Sequence, residues 1–342
     1  MSSLSLAGLA IALALFFNFS NGFHDAANIV ATVISSRAMS VGRALIMTAV
    51  LVFCGSMLLG TAVAETIGSA IIDTGAIDIA TILAAMTAAI VWNLLTWYWA
   101  LPSSSSHALI GGLIGAALAS AGPSAVHWFK LLVIIAVILV APMLGLLSSF
   151  LITRLNFAAF KDMNPNRGHR LQLRLQIAAS ALLALAHGSN DAQKAMGLIT
   201  LSLILLYRQD PAAIGQIYIP LSTFTVPSWA VLGSSLAISL GMLSGGTRII
   251  RTVGLKLYKI RPQHGFGAQL ASALTVYACA ALGFPVSTTQ IASSSIMGAG
   301  AAQRLGIVRW GIAGEIALGW LVTLPAAGLL AYLCAISLRL LN

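Results

Sequence analysis

Residues 21–28 read Asn-Gly-Phe-His-Asp-Ala-Ala-Asn, and residues 187–194 read His-Gly-Ser-Asn-Asp-Ala-Gln-Lys. Gly, Asp and Ala keep register between the two stretches, and each stretch follows an apolar run. A second pair lies farther along each half: Leu101-Pro-Ser-Ser-Ser-Ser-His107 aligns with Phe284-Pro-Val-Ser-Thr-Thr-Gln290. Small residues come next in both, Gly111, Gly112 and Gly115 in the first and Ser293, Ser294, Ser295 and Gly298 in the second. Two matched pairs in the same order mean that one architecture is written twice, as in transporters built from internal repeats.

The surroundings of these motifs are lipid-like. The 342 residues are 59% hydrophobic and only 8% charged, with a mean hydropathy of +0.96; such a chain cannot cover a water-facing surface. Stretches such as Ala44 to Ala64, Ile79 to Ala100, Leu131 to Ile152 and Gly311 to Leu333 exceed the roughly 18–20 residues that span a bilayer. No Lys or Arg precedes Arg37, so Ser2 to Phe19 lacks the basic start of a cleaved signal and is expected to stay. Cys54, Cys279 and Cys334 fall inside apolar spans without metal-ligand spacing, which makes them packing residues.

The net charge of +10 matters through its placement. Basic residues gather at Arg37 and Arg43, at Arg154 to Arg174, at Arg248 to Arg261, and at Arg304 and Arg309, whereas Glu65 to Asp78 holds three carboxylates and no Lys or Arg. The positive-inside rule makes the former cytoplasmic and the latter external. Both termini are then external, Pro102 ends its span on one side and Pro285 on the other, and the two halves are inverted. The expectation is an all-α polytopic membrane protein of two inverted repeats, 1–153 and 175–342, joined by a short basic loop, 154–174. Helices should break at Asn18 to Asp25, at His187 to Asp191 and at each Pro-x-Ser/Thr run. The basic loop carries no aromatics apart from Phe157 and Phe160, so nucleic acid is not an expected partner.

Charges at membrane depth are costly and mark function. Of eight acidic residues, Glu65, Asp73, Asp78, Asp162 and Asp210 fall in expected loops, leaving Asp25, Asp191 and Glu315 for the interior. Asp25 and Asp191 hold the same place in the repeats; Glu315 has no counterpart, and capping or an ion pair explains it equally well. Ser103 to Ser106 and Ser287, Thr288 and Thr289 follow prolines that favour helix starts, so hydroxyls and free backbone N–H groups can converge on a tetrahedral oxyanion. One Ser-rich turn alone reads as an N-cap. Lys194 can pair with Asp191 or meet the anion. Asn21, Asn28, Asn190 and Gln193 offer oxygens to Na⁺ and nitrogens to an anion.

At these residues the chain resembles the inorganic phosphate transporter (Pit) family, whose mark is a duplicated Gly-x-x-Asp motif beside duplicated Pro-x-Ser-[Ser/Thr]-[Ser/Thr] turns. The resemblance implies about twelve helical segments including re-entrant ones, a homodimer, and phosphate held between the repeats. It implies that Asp25, Asn28, Ser104, Ser105, Ser106, Asp191, Ser287, Thr288 and Thr289 bind phosphate or its coupling cation, with Lys194 a further candidate on the substrate. Asn21, His24, Asp25, Asn190 and Asp191 are the coupling-ion candidates, and Na⁺ would sit at Asp25, Asp191 and Asn190.

Sodium-coupled relatives carry Asn before the Asp in both motifs, whereas this chain has His24 in the first. Histidine changes charge near neutral pH, so H⁺ is the expected coupling ion ahead of Na⁺. His24 also resembles the proton-coupled bacterial relatives, some of which carry metal-phosphate, and the resemblance implies that cargo as an alternative. The expected setting is a bacterial plasma membrane, with no cofactor. Sulfate permeation is the nearest rival; protonated phosphate can donate to a carboxylate that would only repel sulfate. An anion channel or a membrane-embedded enzyme using His24 and Asp25, or His187 and Asp191, is more remote. No His-Glu-x-x-His or P-loop motif is present.

Overall fold

The computed structural model describes residues 2–58, 60–214, 224–245 and 257–340. Eleven α-helices occur among them: α1 (Ser3–Ser35), α2 (Val41–Leu58), α3 (Ala62–Glu65), α4 (Ile79–Tyr98), α5 (Ser105–Ala121), α6 (Trp128–Ala159), α7 (Pro165–Gln209), α8 (Ser228–Ser244), α9 (Pro262–Ala281), α10 (Thr288–Gln303) and α11 (Trp310–Leu340). The described residues contain no β-strand, only an isolated bridge between Ile72 and Val126. Five helices (α1, α2, α4, α6 and α11) are long and apolar enough to cross a membrane. Large apolar side chains such as Leu132, Met143, Leu147, Leu321 and Leu329 point outward, as lipid requires. The chain is an all-α polytopic integral membrane protein.

The Pro-x-Ser runs break helices where the sequence places them. Helices α4 and α9 end in the same left-handed cap, at Ala100 with φ 56° and at Gly283 with φ 75°. Leu101 N–H returns to Thr96 O at 2.9 Å and Phe284 N–H to Cys279 O at 2.9 Å, the six-to-one bond that closes a helix end. Ser104 and Ser287 then cap α5 and α10 by accepting from His107 N–H and Gln290 N–H. At 17 and 16 residues these helices fall short of a full span.

The two hairpins enter the bundle from opposite ends. Thr81 at the start of α4 donates to Ser120 at the end of α5, and Arg339 at the end of α11 donates to Ala119 O and Ser120 O. Arg208, at the end of α7, donates to Thr74 O at 2.6 Å, so this end carries the acidic segment. His264 at the start of α9 and Gln303 at the end of α10 instead line one pocket with Phe157 of α6 and Arg261, at the basic end. The hairpin tips meet in the middle, where Ser106 Oγ donates to Val286 O at 2.7 Å and Gln290 Nε2 lies 3.4 Å from His107 Nδ1.

Two expectations change. Helices α1 and α7 run unbroken through residues 21–28 and 187–194: neither stretch contains proline, and the polar side chains reach partners on other helices while the backbone ladder continues. The basic segment 154–174 is not a loop but two helix ends around a short link, residues 160–164. Asn156 and Gln172 exchange hydrogen bonds of 3.1 and 2.7 Å across it, and Asn164 with Pro165 starts α7. Arg248, Arg251 and Lys256 lie outside the described residues.

Glycine at the motifs permits close helix crossings. A Cβ on Gly22 would overlap the carbonyl oxygen of Ile238 in α8, and one on Gly188 that of Val52 in α2. Close packing likewise accounts for Gly111 and Gly115, whose absent side chains admit the α11 backbone at Leu324 and Gly328. Gly22→Ala should therefore destabilise the protein by about 1–3 kcal/mol or more. Gly8→Ala, on an exposed face of the same helix with nothing within 4 Å, should be neutral or stabilise by up to about 1 kcal/mol. Thermal unfolding of the two variants in detergent checks the difference.

Candidate functional site

The motif residues of α1 and α7 face each other at the centre, and the N-terminal turn of α10 closes over them. Asp25 and Asp191 are both fully buried. One oxygen of each carboxylate is heavily used and the other is bare. Asp25 Oδ1 lies 2.9 Å from His24 Nδ1 and accepts from Asn28 Nδ2 at 3.1 Å and Thr289 Oγ1 at 2.9 Å. Asp191 Oδ2 accepts from Asn21 Nδ2 at 3.2 Å and Thr288 Oγ1 at 3.3 Å, with Lys194 Nζ at 3.0 Å and His187 Nε2 at 3.8 Å. Asp25 Oδ2 and Asp191 Oδ1 have no hydrogen-bond partner.

Neighbouring threonines of α10 thus serve one carboxylate each. Asn21, from the first motif, reaches the aspartate of the second, and Asn28 also donates to Thr289 Oγ1 at 2.9 Å. The two repeats and the broken helix therefore form one polar unit in an apolar body. Such a unit is costly to bury unless its charges are paired.

Free groups of both signs remain. Among acceptors, Asn21 Oδ1 and Asn28 Oδ1 join the two bare carboxylate oxygens without partners. Neither ring nitrogen of His187, one of them a donor in either tautomer, makes a hydrogen bond, and Lys194 Nζ, though close to Asp191, is not aligned as a hydrogen bond to it. Ligand atoms of Asp25, His187 and Asp191 lie within 4.8 Å of one another, near enough to share a cation. Unpartnered acceptors suit a cation and unpartnered donors an anion.

The expected site residues divide by role. Asp25, Asn28, Asp191, Lys194, Thr288 and Thr289 converge, with Asn21 and His24 beside them. Ser104 and Ser287 are helix caps, and Ser106 latches the opposite hairpin tip; Ser105 is buried in the first turn of α5. Asn190 does not join the carboxylates: its Nδ2 holds Phe284 O at 3.1 Å while its Oδ1 is free. Gln193 accepts from Val63 N–H and Ala64 N–H and so starts α3. Glu315 is exposed on α11. Two more residues reach the centre: His187, which the sequence offers only as an acid–base partner of Asp191, and Ser103, which it offers only as one of a run of hydroxyls. His187 sits four residues before Asp191, one turn away on the same face, which was the available signal. Ser103, with its Oγ 3.4 Å from His24 Nε2 and 2.7 Å from Thr96 Oγ1, gave none beyond its place in the serine run.

Residues 21–167 and 156–331 match the phosphate transporter family. The chain belongs to that family. It is 43% identical to a probable low-affinity inorganic phosphate transporter of Rhizobium meliloti, over 96% of this chain and 95% of the relative. A Bacillus subtilis protein of the same description is 40% identical over 98% and 96%. Among solved structures, a sodium-dependent phosphate transporter superposes with a TM-score of 0.86 at 25% identity, covering 100% of both chains. Family membership and the buried polar centre agree that this is a transporter and not an enzyme.

Asp25→Asn and Asp191→Asn should each abolish phosphate uptake into proteoliposomes while the purified protein remains monodisperse. Thr289→Val removes one hydroxyl that serves both Asp25 and Asn28, and should weaken transport by about 10–100-fold, the worth of one or two buried hydrogen bonds. Near-normal uptake by either Asp variant would contradict a shared centre.

Proposed function

We propose that the protein is a secondary symporter of inorganic phosphate, driven by protons and built as two inverted halves. The observation that carries this reading is the coexistence, in one buried centre, of bare carboxylate and amide oxygens with free ammonium and imidazole donors. A cation and an anion each find partners there, which is what coupling two ions in one step requires. The backbone N–H groups at the starts of α5 and α10 add to the anion side. Inversion is supported by the opposed hairpins, the matched caps at Ala100 and Gly283, and the matched crossings at Gly22 and Gly188.

Protons are favoured over sodium by what already surrounds the carboxylates. His24 stands 2.9 Å from Asp25, and the Lys194 ammonium and His187 flank Asp191, so protein nitrogens occupy ground that a metal ion would need. Histidine can load and unload a proton over a modest pH difference. Sodium is the second reading, favoured by the sodium dependence of the similar solved transporter and by the Asp25, His187 and Asp191 group. That same group would suit a divalent ion arriving as metal-phosphate. A homodimer, which the family resemblance implies, and a bacterial plasma membrane, which the bacterial relatives suggest, complete the proposal.

The test is uptake of labelled phosphate into proteoliposomes under an inward proton gradient in sodium-free buffer, against an inward Na⁺ gradient at equal pH. Protons alone should drive uptake, and labelled sulfate should not enter. Uptake driven only by Na⁺, and unchanged in His24→Asn, would overturn the proton assignment. External unlabelled phosphate should accelerate efflux of labelled phosphate, as a carrier requires and a pore does not.

Orientation has its own test. In a background without the native cysteines, single cysteines at Gly75 and Asn166, both exposed, should label with an impermeant maleimide from opposite faces, Gly75→Cys from outside. Labelling of both from one face would refute the arrangement.

A further inference from the structure

Asn28 and Lys194 hold the same place in the two motifs, each three residues after its aspartate. One helical turn brings each back over its carboxylate. Asn28 Nδ2 lies 3.1 Å from Asp25 Oδ1, and Lys194 Nζ lies 3.0 Å from Asp191 Oδ2. Position is matched and charge is not: the amide donates a hydrogen bond and leaves the charge of its site unchanged, whereas the ammonium brings a full positive charge.

Among the described residues, Asp25, Asp191 and Lys194 are the only buried Asp, Glu, Lys or Arg side chains. Lys194 is one of the largest side chains that the protein buries completely, and its one ion pair among them is with Asp191. A buried ammonium without a carboxylate is costly, as is a buried carboxylate without a cation. Two carboxylates with an incoming phosphate need several positive charges at once. Each must come from the protein or from solution.

We infer that Lys194 is a tethered substitute for a co-transported monovalent cation at Asp191, so that one fewer dissolved cation crosses with each phosphate. The inference rests on the symporter reading and deepens it. The oxygens for a dissolved cation are already at hand: Asp191 Oδ1 and Asn21 Oδ1 are bare, and Thr288 Oγ1 adjoins Asp191 Oδ2 at 3.3 Å. What excludes the cation is the ammonium itself, held by its stem within a turn of the carboxylate. Lys194 thereby sets how many ions the site takes, while its unaligned N–H donors stay available to the anion.

The experiment replaces Lys194 by the residue found at the matched place. Lys194→Asn, Lys194→Gln and Lys194→Arg are purified, and thermal unfolding and phosphate counterflow are measured in sodium chloride and in choline chloride at equal ionic strength. In Lys194→Asn the unfolding midpoint should rise by several degrees in sodium, as for any ligand that binds only the folded state. Its counterflow should become about tenfold or more dependent on sodium than that of the wild type, with the order of that dependence raised by one. Lys194→Arg keeps the charge and should gain no sodium dependence, whatever its absolute rate. Folding of Lys194→Asn or Lys194→Gln in sodium but not in choline would support the inference equally. Folded variants without added sodium dependence, or failure of both to fold in any alkali chloride, would overturn it. If the wild type shows no phosphate counterflow, the phosphate reading fails while the unfolding comparison still decides the role of Lys194.

Discussion

Two carboxylates buried in an apolar body, each held by one of two consecutive threonines of one helix turn, set the terms for everything around them. A lone buried carboxylate would take up a proton and lose its use. Asp25 and Asp191 instead have donors on one oxygen each, from side chains of both repeats and of α10. Those donors must arrive at hydrogen-bonding distance together, which fixes how α1, α7 and α10 cross. The close crossings at Gly22 and Gly188 follow from it: the motif helices lie against α8 and α2 with no side chain between. Glycine three residues before each aspartate is therefore the condition under which the aspartate can sit at the centre.

The hydroxyl-rich turns look alike in sequence and do different work. A helix N-terminus leaves four N–H groups without partners, and a serine at the cap satisfies one of them. Ser104 and Ser287 fill that need, which removes them from the ligand set, and Ser106 ties one hairpin tip to the other. The hydroxyls left to face the carboxylates come from Thr288 and Thr289, and from Ser103 through His24. The halves are thus unequal at the centre: α10 touches the carboxylates directly, and the α5 turn reaches them through an imidazole.

Much of this was legible in the sequence. Charged residues at membrane depth are so rare that Asp25 and Asp191 announced themselves, and proline marked where α5 and α10 begin. Continuity of α1 and α7 was not legible, because a polar cluster inside an apolar run looks like a break until its partners on other helices are known. The extent of the helices around residues 160–164 was hidden likewise: charge identifies the side of the membrane, but says nothing of whether the backbone there is helical. His187 stands outside the expected phosphate and cation ligands because the repeat comparison weighs what matches, and its counterpart is Asn21. The matching residues frame the site, and the mismatched ones (His24 against Asn190, Asn28 against Lys194, Asn21 against His187) give it chemistry that strict duplication would lack.

Complete burial of both aspartates also says what must move. A centre with no exposed carboxylate cannot exchange ions with water as it stands, so loading requires that some element covering it withdraw. Whole helices are poor candidates, because carbonyl-to-glycine crossings pin α1 on α8, α7 on α2 and α5 on α11 alike. The hairpin tips are better ones. They meet through the Ser106 to Val286 hydrogen bond and the His107 to Gln290 contact, and α10 holds the carboxylates through single hydroxyls. Each such bond contributes about 1 kcal/mol, small enough for arriving ions to replace. The α4–α5 and α9–α10 hairpins enter from opposite ends, so withdrawing one tip opens the centre toward one side while the other still seals it. On the symporter proposal, access from alternate sides then needs no new element: each hairpin would gate one face.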